Sequence, residues 1–136
     1  MSENDSIEDI REQKKRELQT EDGPGGSGAE APAEPIHVSG TDDLTQATEQ
    51  YDVVLVDFYA DWCGPCKMLE PTIETLAADT DAAVAKVDVD ANQQLARQYQ
   101  VRGVPTLALF ADGELVEQTA GLQDEETLRS LIGQYQ

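Results

Sequence analysis

Val53-Val54-Leu55-Val56-Asp57-Phe58-Tyr59-Ala60-Asp61-Trp62-Cys63-Gly64-Pro65-Cys66-Lys67 is the stretch that decides how this chain folds. Its first seven residues are nearly all apolar and rich in β-branched side chains, the pattern of a strand covered on both faces. Helical spacing takes over from about Cys63 to Ala78, with Pro71 inside the helix and a kink expected there. The two cysteines therefore fall at a strand-to-helix junction. Unpaired backbone N–H groups and the positive end of the helix dipole favour an anion at that place. A thiolate at Cys63 is stabilised there, so its pKa is expected below the roughly 8.5 of a free cysteine. Cys66 lies one turn further in, close enough to close a disulfide and expected to be the more buried thiol. Gly64 lets a substrate backbone pass close by, and Pro65 fits the first turn, where its missing N–H costs nothing. This asymmetry makes Cys63 the attacker and Cys66 the resolver.

Asp57 interrupts the apolar run and shares the period-2 face of Val53, Leu55 and Tyr59. A carboxylate in that position is desolvated, which raises its pKa toward the working pH. The alternative is a strand-end charge that reaches solvent.

Outward from this centre the pattern alternates. Ile36 to Ser39 reads as a short strand and Asp42 to Gln50 as a helix. Val84 to Val89 reads as a strand and Asn92 to Tyr99 as a short helix. Thr106 to Phe110 and Glu114 to Thr119 flank Ala111-Asp112-Gly113, a hairpin signal. Asp124 caps a last amphipathic helix through Leu128, Leu131 and Ile132. A βαβ half followed by a ββα half predicts an α/β fold, a mixed central sheet with helices on both faces. This unit should span residues 36–136. Before it, residues 20–35 hold four glycines and three prolines, the composition of a flexible linker. Residues 1–19 are charged and helix-favouring but too thinly apolar to hold against a core, so at most a transient helix is expected.

Trp62-Cys63-Gly64-Pro65-Cys66-Lys67 with its preceding strand closely resembles the thioredoxin family signature. The resemblance continues in Val101-Arg102-Gly103-Val104-Pro105-Thr106, in Asp112-Gly113 and in Gly121, and it covers essentially all of residues 36–136. It implies the thioredoxin fold and reduction of protein disulfides by dithiol–disulfide exchange through Cys63 and Cys66. It further implies that Asp57 is the buried base, acting through water, for the resolving cysteine. Lys86 matches the lysine that approaches this aspartate and moderates its charge. Pro105 matches a cis-proline that brings the Val104 backbone beside Cys63, offering N–H and C=O groups to an extended substrate strand. Trp62, Gly103, Val104 and Gly121, with Gly64 and Pro65, match the flat surface on which a substrate docks. A thioredoxin reductase is the implied electron donor, disulfide-containing proteins are the clients, no bound cofactor is needed, and a monomer is expected. Some residues depart from the commonest pattern. Tyr59 stands where many members have tryptophan, and Leu69-Glu70 precedes Pro71 where an apolar or small residue is frequent. With Asp61, Glu70 gives the neighbourhood an acidic character that bears on which reductase docks.

Composition narrows the field from the other side. Among 136 residues, 28 acidic against 9 basic side chains leave a formal net charge of −19, which repels nucleic acid phosphates and anionic membranes. Such an acid excess reads as adaptation to molar salt, where screening suppresses self-repulsion. No run approaches the roughly 20 apolar residues of a membrane-spanning helix. The N-terminus lacks the apolar region of a secretory signal, so the cytoplasm is the expected location. Two cysteines do not make a disulfide framework. A structural zinc site wants four ligands, and only His37 adds a common nitrogen donor, so no metal is expected. His37 as the base of a Cys–His hydrolase would need an orienting constellation that the sequence does not offer, so it reads as a partly exposed structural histidine. A disulfide oxidase or isomerase usually carries a polarising residue between its cysteines, and Gly64-Pro65 supplies none. A docking module without redox chemistry would have no use for both cysteines and Asp57.

Overall fold

The computed structural model describes residues 30–136. The charged segment expected over residues 1–19, and the expected linker as far as residue 29, lie outside the described residues. The elements follow in the order β1 (Ile36–His37), α1 (Thr41–Gln50), β2 (Val53–Tyr59), α2 (Gly64–Asp79), β3 (Ala83–Asp88), α3 (Gln93–Gln98), β4 (Thr106–Ala111), β5 (Glu114–Ala120) and α4 (Glu125–Gly133). Nearly every boundary lies within a residue or two of the pattern read from the sequence. β1 is shorter than expected: Val38 still donates its N–H to the Lys86 carbonyl at 2.9 Å, but Gly40 at φ 86° then turns the chain into α1.

The five strands form one sheet in the order β1-β3-β2-β4-β5. β1 and β2 each run parallel to β3, while β4 lies antiparallel to β2 and β5 antiparallel to β4. This is the mixed sheet that βαβ and ββα halves produce when they share a centre. β2 sits in the middle, so its seven residues are buried on both faces except at Tyr59, as its unbroken apolar run requires.

Period-2 alternation assigns the faces. Val53 and Leu55 of β2 join Val84, Leu107 and Leu109 beneath Leu69, Ile73 and Leu76 of α2 and Leu128 and Ile132 of α4. Val54, Val56 and Phe58 point the other way, toward Leu44 of α1 and Leu95 of α3. Asp57 and Lys86 consequently fall on the α2 side, under the helix that begins at the cysteines. Ala31, from the end of the expected linker, packs against the α1 and α3 side of the core. Ala33, Glu34 and Pro35 line a groove with His37 of β1 and with α2.

Candidate active site

Cys63 is the N-cap residue of α2, with extended backbone angles (φ −90°, ψ 113°). Its Sγ accepts the N–H of Cys66 at 3.1 Å, and its carbonyl accepts the N–H of Lys67 at 3.3 Å. Gly64 and Pro65 make the first helical positions, where the missing proline N–H leaves no bond unmade. Cys63 and Cys66 are joined as a disulfide with Cα atoms 5.3 Å apart. The sequence favoured Cys66 as the more buried partner. In the disulfide form both are closed in, at 4% and 3% exposure. Val104, from the loop entering β4, and Tyr59 and Val89 pack around the pair, so Cys63 is covered from the side by chain remote in sequence.

The Val104–Pro105 peptide is cis, and the Val104 carbonyl oxygen lies 3.7 Å from Cys63 Sγ. Two hydrogen bonds anchor this loop: Thr106 Oγ1 donates to the Gly103 carbonyl at 2.7 Å, and the Gly121 N–H donates to the Pro105 carbonyl at 2.8 Å. Gly121, at φ 96°, holds a conformation that L side chains rarely adopt. Gly64, Pro65 and Gly103 are exposed, Val104 and Gly121 are half-buried, and Pro105 is buried. Trp62 is 71% exposed, which no core tryptophan would be. Its indole N–H donates to Asp90 Oδ2 at 2.8 Å, fixing the ring. Asp90 escaped the sequence reading because it lies 28 residues away with no local pattern to mark it.

Beneath Cys66, Asp57 is 1% exposed. Its Oδ1 has no hydrogen-bond partner among the described residues. Burial pushes its carboxyl up to about 6; the nearby Lys86 ammonium opposes that rise and the Glu70 carboxylate reinforces it. A cavity of about 30 Å³, lined by Asp57, Tyr59, Cys66, Glu70 and Lys86, separates these groups. That volume has room for a water between the carboxyl and Cys66.

Lys86 is the register partner of Asp57 across the parallel pair and is itself buried, because β3 lies inside the sheet rather than at its edge. It forms no ion pair with Asp57, although its ammonium acts on that carboxyl from nearby. Its Nζ donates instead to Glu70 Oε2 at 3.2 Å and stands 4.5 Å from the Tyr59 ring centroid, a cation–π contact. Glu70 comes from α2, one turn beyond Cys66, and outcompetes Asp57 for the ammonium.

His37 is exposed at the sheet edge and lines the groove on the outer side of the Glu70–Lys86 pair, apart from the cavity that holds Asp57 and Cys66. Among the described residues no group of three His, Cys, Asp or Glu side chains is placed to hold a metal ion. No helix among them is long and apolar enough to cross a membrane.

Comparison with known proteins agrees with this geometry. The family model described as Thioredoxin matches residues 36–134. The thioredoxin of Chlamydia trachomatis serovar D is 49% identical over 85 residues, covering 62% of this chain and 83% of its own. A thioredoxin of Staphylococcus epidermidis is 43% identical over 100 residues, covering 72% of this chain and 96% of its own. The solved structure of a mutant thioredoxin from Halobacterium salinarum NRC-1 superposes with a TM-score of 0.76 at 64% identity, covering 79% of this chain and 96% of its own. That neighbour comes from a halophile, as the acid excess of the present chain led one to expect.

Proposed function

The chain belongs to the thioredoxin family, and from that premise we propose a residue-by-residue division of its dithiol–disulfide chemistry. The protein is a thiol–disulfide oxidoreductase that reduces protein disulfides. Cys63 is the attacking thiolate, Cys66 the resolving thiol and Asp57 the base between Cys66 and solvent. The observation that carries this reading is the disulfide capping α2, with Cys63 accepting the Cys66 N–H and Asp57 buried below the pair.

In the first step the Cys63 thiolate attacks one sulfur of a client disulfide. A Cys63–client bond forms, the client S–S bond breaks, and the other client sulfur leaves as a thiolate. The helix N-terminus and the Cys66 N–H stabilise the attacking anion before the step. In the second step the Cys66 proton passes to the Asp57 carboxylate through a water in the cavity. The Cys66 sulfur attacks Cys63, the Cys63–Cys66 bond forms, and the second client sulfur leaves with its electron pair. The client is reduced by two electrons and the protein oxidised by two.

Val104 offers its carbonyl to an extended client strand beside Cys63. Trp62, Gly64, Pro65, Gly103, Pro105 and Gly121 shape the docking surface. Lys86 moderates the Asp57 charge from a distance. By analogy with the family, a thioredoxin reductase returns the electrons, and the protein works as a monomer in the cytoplasm.

A Cys66→Ser variant tests the assignment. It should attack clients normally, fail to resolve, and accumulate a mixed disulfide that dithiothreitol releases. Cys63→Ser should trap nothing. Equal trapping by both variants would overturn the division of roles.

A further inference from the structure

Asp57 and Lys86 are opposite charges buried on one face of neighbouring strands, and direct pairing is the arrangement that elementary electrostatics favours. The chain prevents it with a third group. Glu70 takes the Lys86 ammonium at 3.2 Å, and the Tyr59 ring supports it from below, leaving Asp57 Oδ1 without a partner among the described residues. Glu70 also stands on a boundary. It lines the small cavity shared by Asp57 and Cys66 and, on its other side, a groove of about 380 Å³ lined by Glu34, His37 and Glu74. The Glu70–Lys86 pair therefore forms the wall between the buried carboxyl and the outside.

We propose that Glu70 is a positioning residue for the resolving step: by drawing Lys86 toward the groove it keeps the ammonium off Asp57, so that Asp57 remains able to take up and give back the Cys66 proton near neutrality. The proposal rests on the reading of Asp57 as base. An ammonium bonded directly to Asp57 would lock it as a carboxylate, a strong ion-pair partner and a poor proton carrier. Glu70 divides the attraction of Lys86 between two carboxylates and adds its own negative charge, and both effects favour the protonated form of Asp57. The other titratable groups around the cavity are Tyr59 and Asp61 from β2 and the turn after it, and Lys67 from α2. Asp88 of β3 acts on Tyr59, and from β4 the register partner of Asp57 is the apolar Leu107. Of these other groups only Tyr59 touches Lys86, and through its ring face rather than its hydroxyl.

The test uses the full chain with ¹³C-labelled aspartate. The Asp57 carboxyl is titrated by NMR in the oxidised protein, and the pH profile of the resolving step is followed by stopped flow. Glu70→Gln keeps volume and removes charge. It should lower the Asp57 midpoint by about one unit and carry the resolving-step profile with it. In a Lys86→Gln background, where there is no ammonium to release, the Glu70→Gln shift should shrink to less than half. An unmoved midpoint in Glu70→Gln overturns the proposal, and so does an equally large shift without Lys86. An Asp57→Asn variant that resolves at the parent rate overturns the base assignment instead, while the carboxyl titration still decides whether Glu70 holds Lys86 away.

Discussion

Asp57 carries a burden that depends on pH. Its carboxyl is raised from 3.8 to about 6 in the folded protein, so the native state binds this proton more tightly than the unfolded chain does. Stability from this group is therefore greatest below about pH 4, declines as pH rises from there to about 6, and is lowest above that. Asp57→Asn keeps the shape and removes the buried charge. It should raise the stability of the oxidised protein at about pH 7.5 by up to about 3 kcal/mol, a gain that vanishes near pH 3.5. Denaturant melts at the two pH values check this. The same substitution should slow resolution, so stability and turnover move in opposite directions at one residue. A gain independent of pH would mean that the carboxyl is not desolvated.

At the scale of elements, the dithiol depends on where α2 begins, and α2 begins where β2 ends. Cys63 caps the helix with its own sulfur, so the reacting atom and the capping atom are the same. The opposite half is set by the β4–β5 hairpin, whose turn residues Asp112 (φ 53°) and Gly113 (φ 84°) both lie in the left-handed region. Two such residues in a row suit the twist of a tight hairpin, which explains why Asp-Gly serves here. A Cβ on Gly113 would meet only the Thr48 carbonyl oxygen, at 4.0 Å, so space is not the constraint. Gly113→Ala should cost about 1 kcal/mol through backbone conformation alone. It should leave the rate of disulfide exchange unchanged in an insulin reduction assay, because the turn lies at the far end of β4 from Pro105 and Thr106. A lost rate would mean that the hairpin sets the loop holding Val104.

At the scale of the whole molecule, 28 acidic groups against 9 basic ones leave few cations to neutralise them. Among the described residues Arg129 serves two carboxylates at once, Asp79 and Glu125, and the buried Lys86 is taken by Glu70. The remaining acidic surface repels itself over a screening length of about 10 Å at 0.1 M salt, which shrinks to about 3 Å at 1 M. The melting temperature should therefore climb between about 0.1 M and about 3 M KCl. A midpoint indifferent to salt would contradict the reading of the acid excess as salt adaptation.

Element order, the burial of β2 on both faces, the hairpin and the cap of α4 were all legible in the chain, because each is written in neighbours: a run of β-branched residues, an Asp-Gly pair, an Asp before a helix. The face of Asp57 was legible for the same reason, since alternation along a strand is a local rule. The closeness of the two cysteines was legible too, because three residues at a helix start are one turn. The partner of Lys86 was decided only by the tertiary structure. Two carboxylates compete for it, one from the adjacent strand and one from α2, 16 residues away, and distance and burial settle the outcome. The near-equal burial of the two cysteines belongs to the same class, because the cover over Cys63 arrives from Val104, 41 residues further along. Local periodicity assigns a side chain to a face, but which groups meet across that face depends on how separate elements pack.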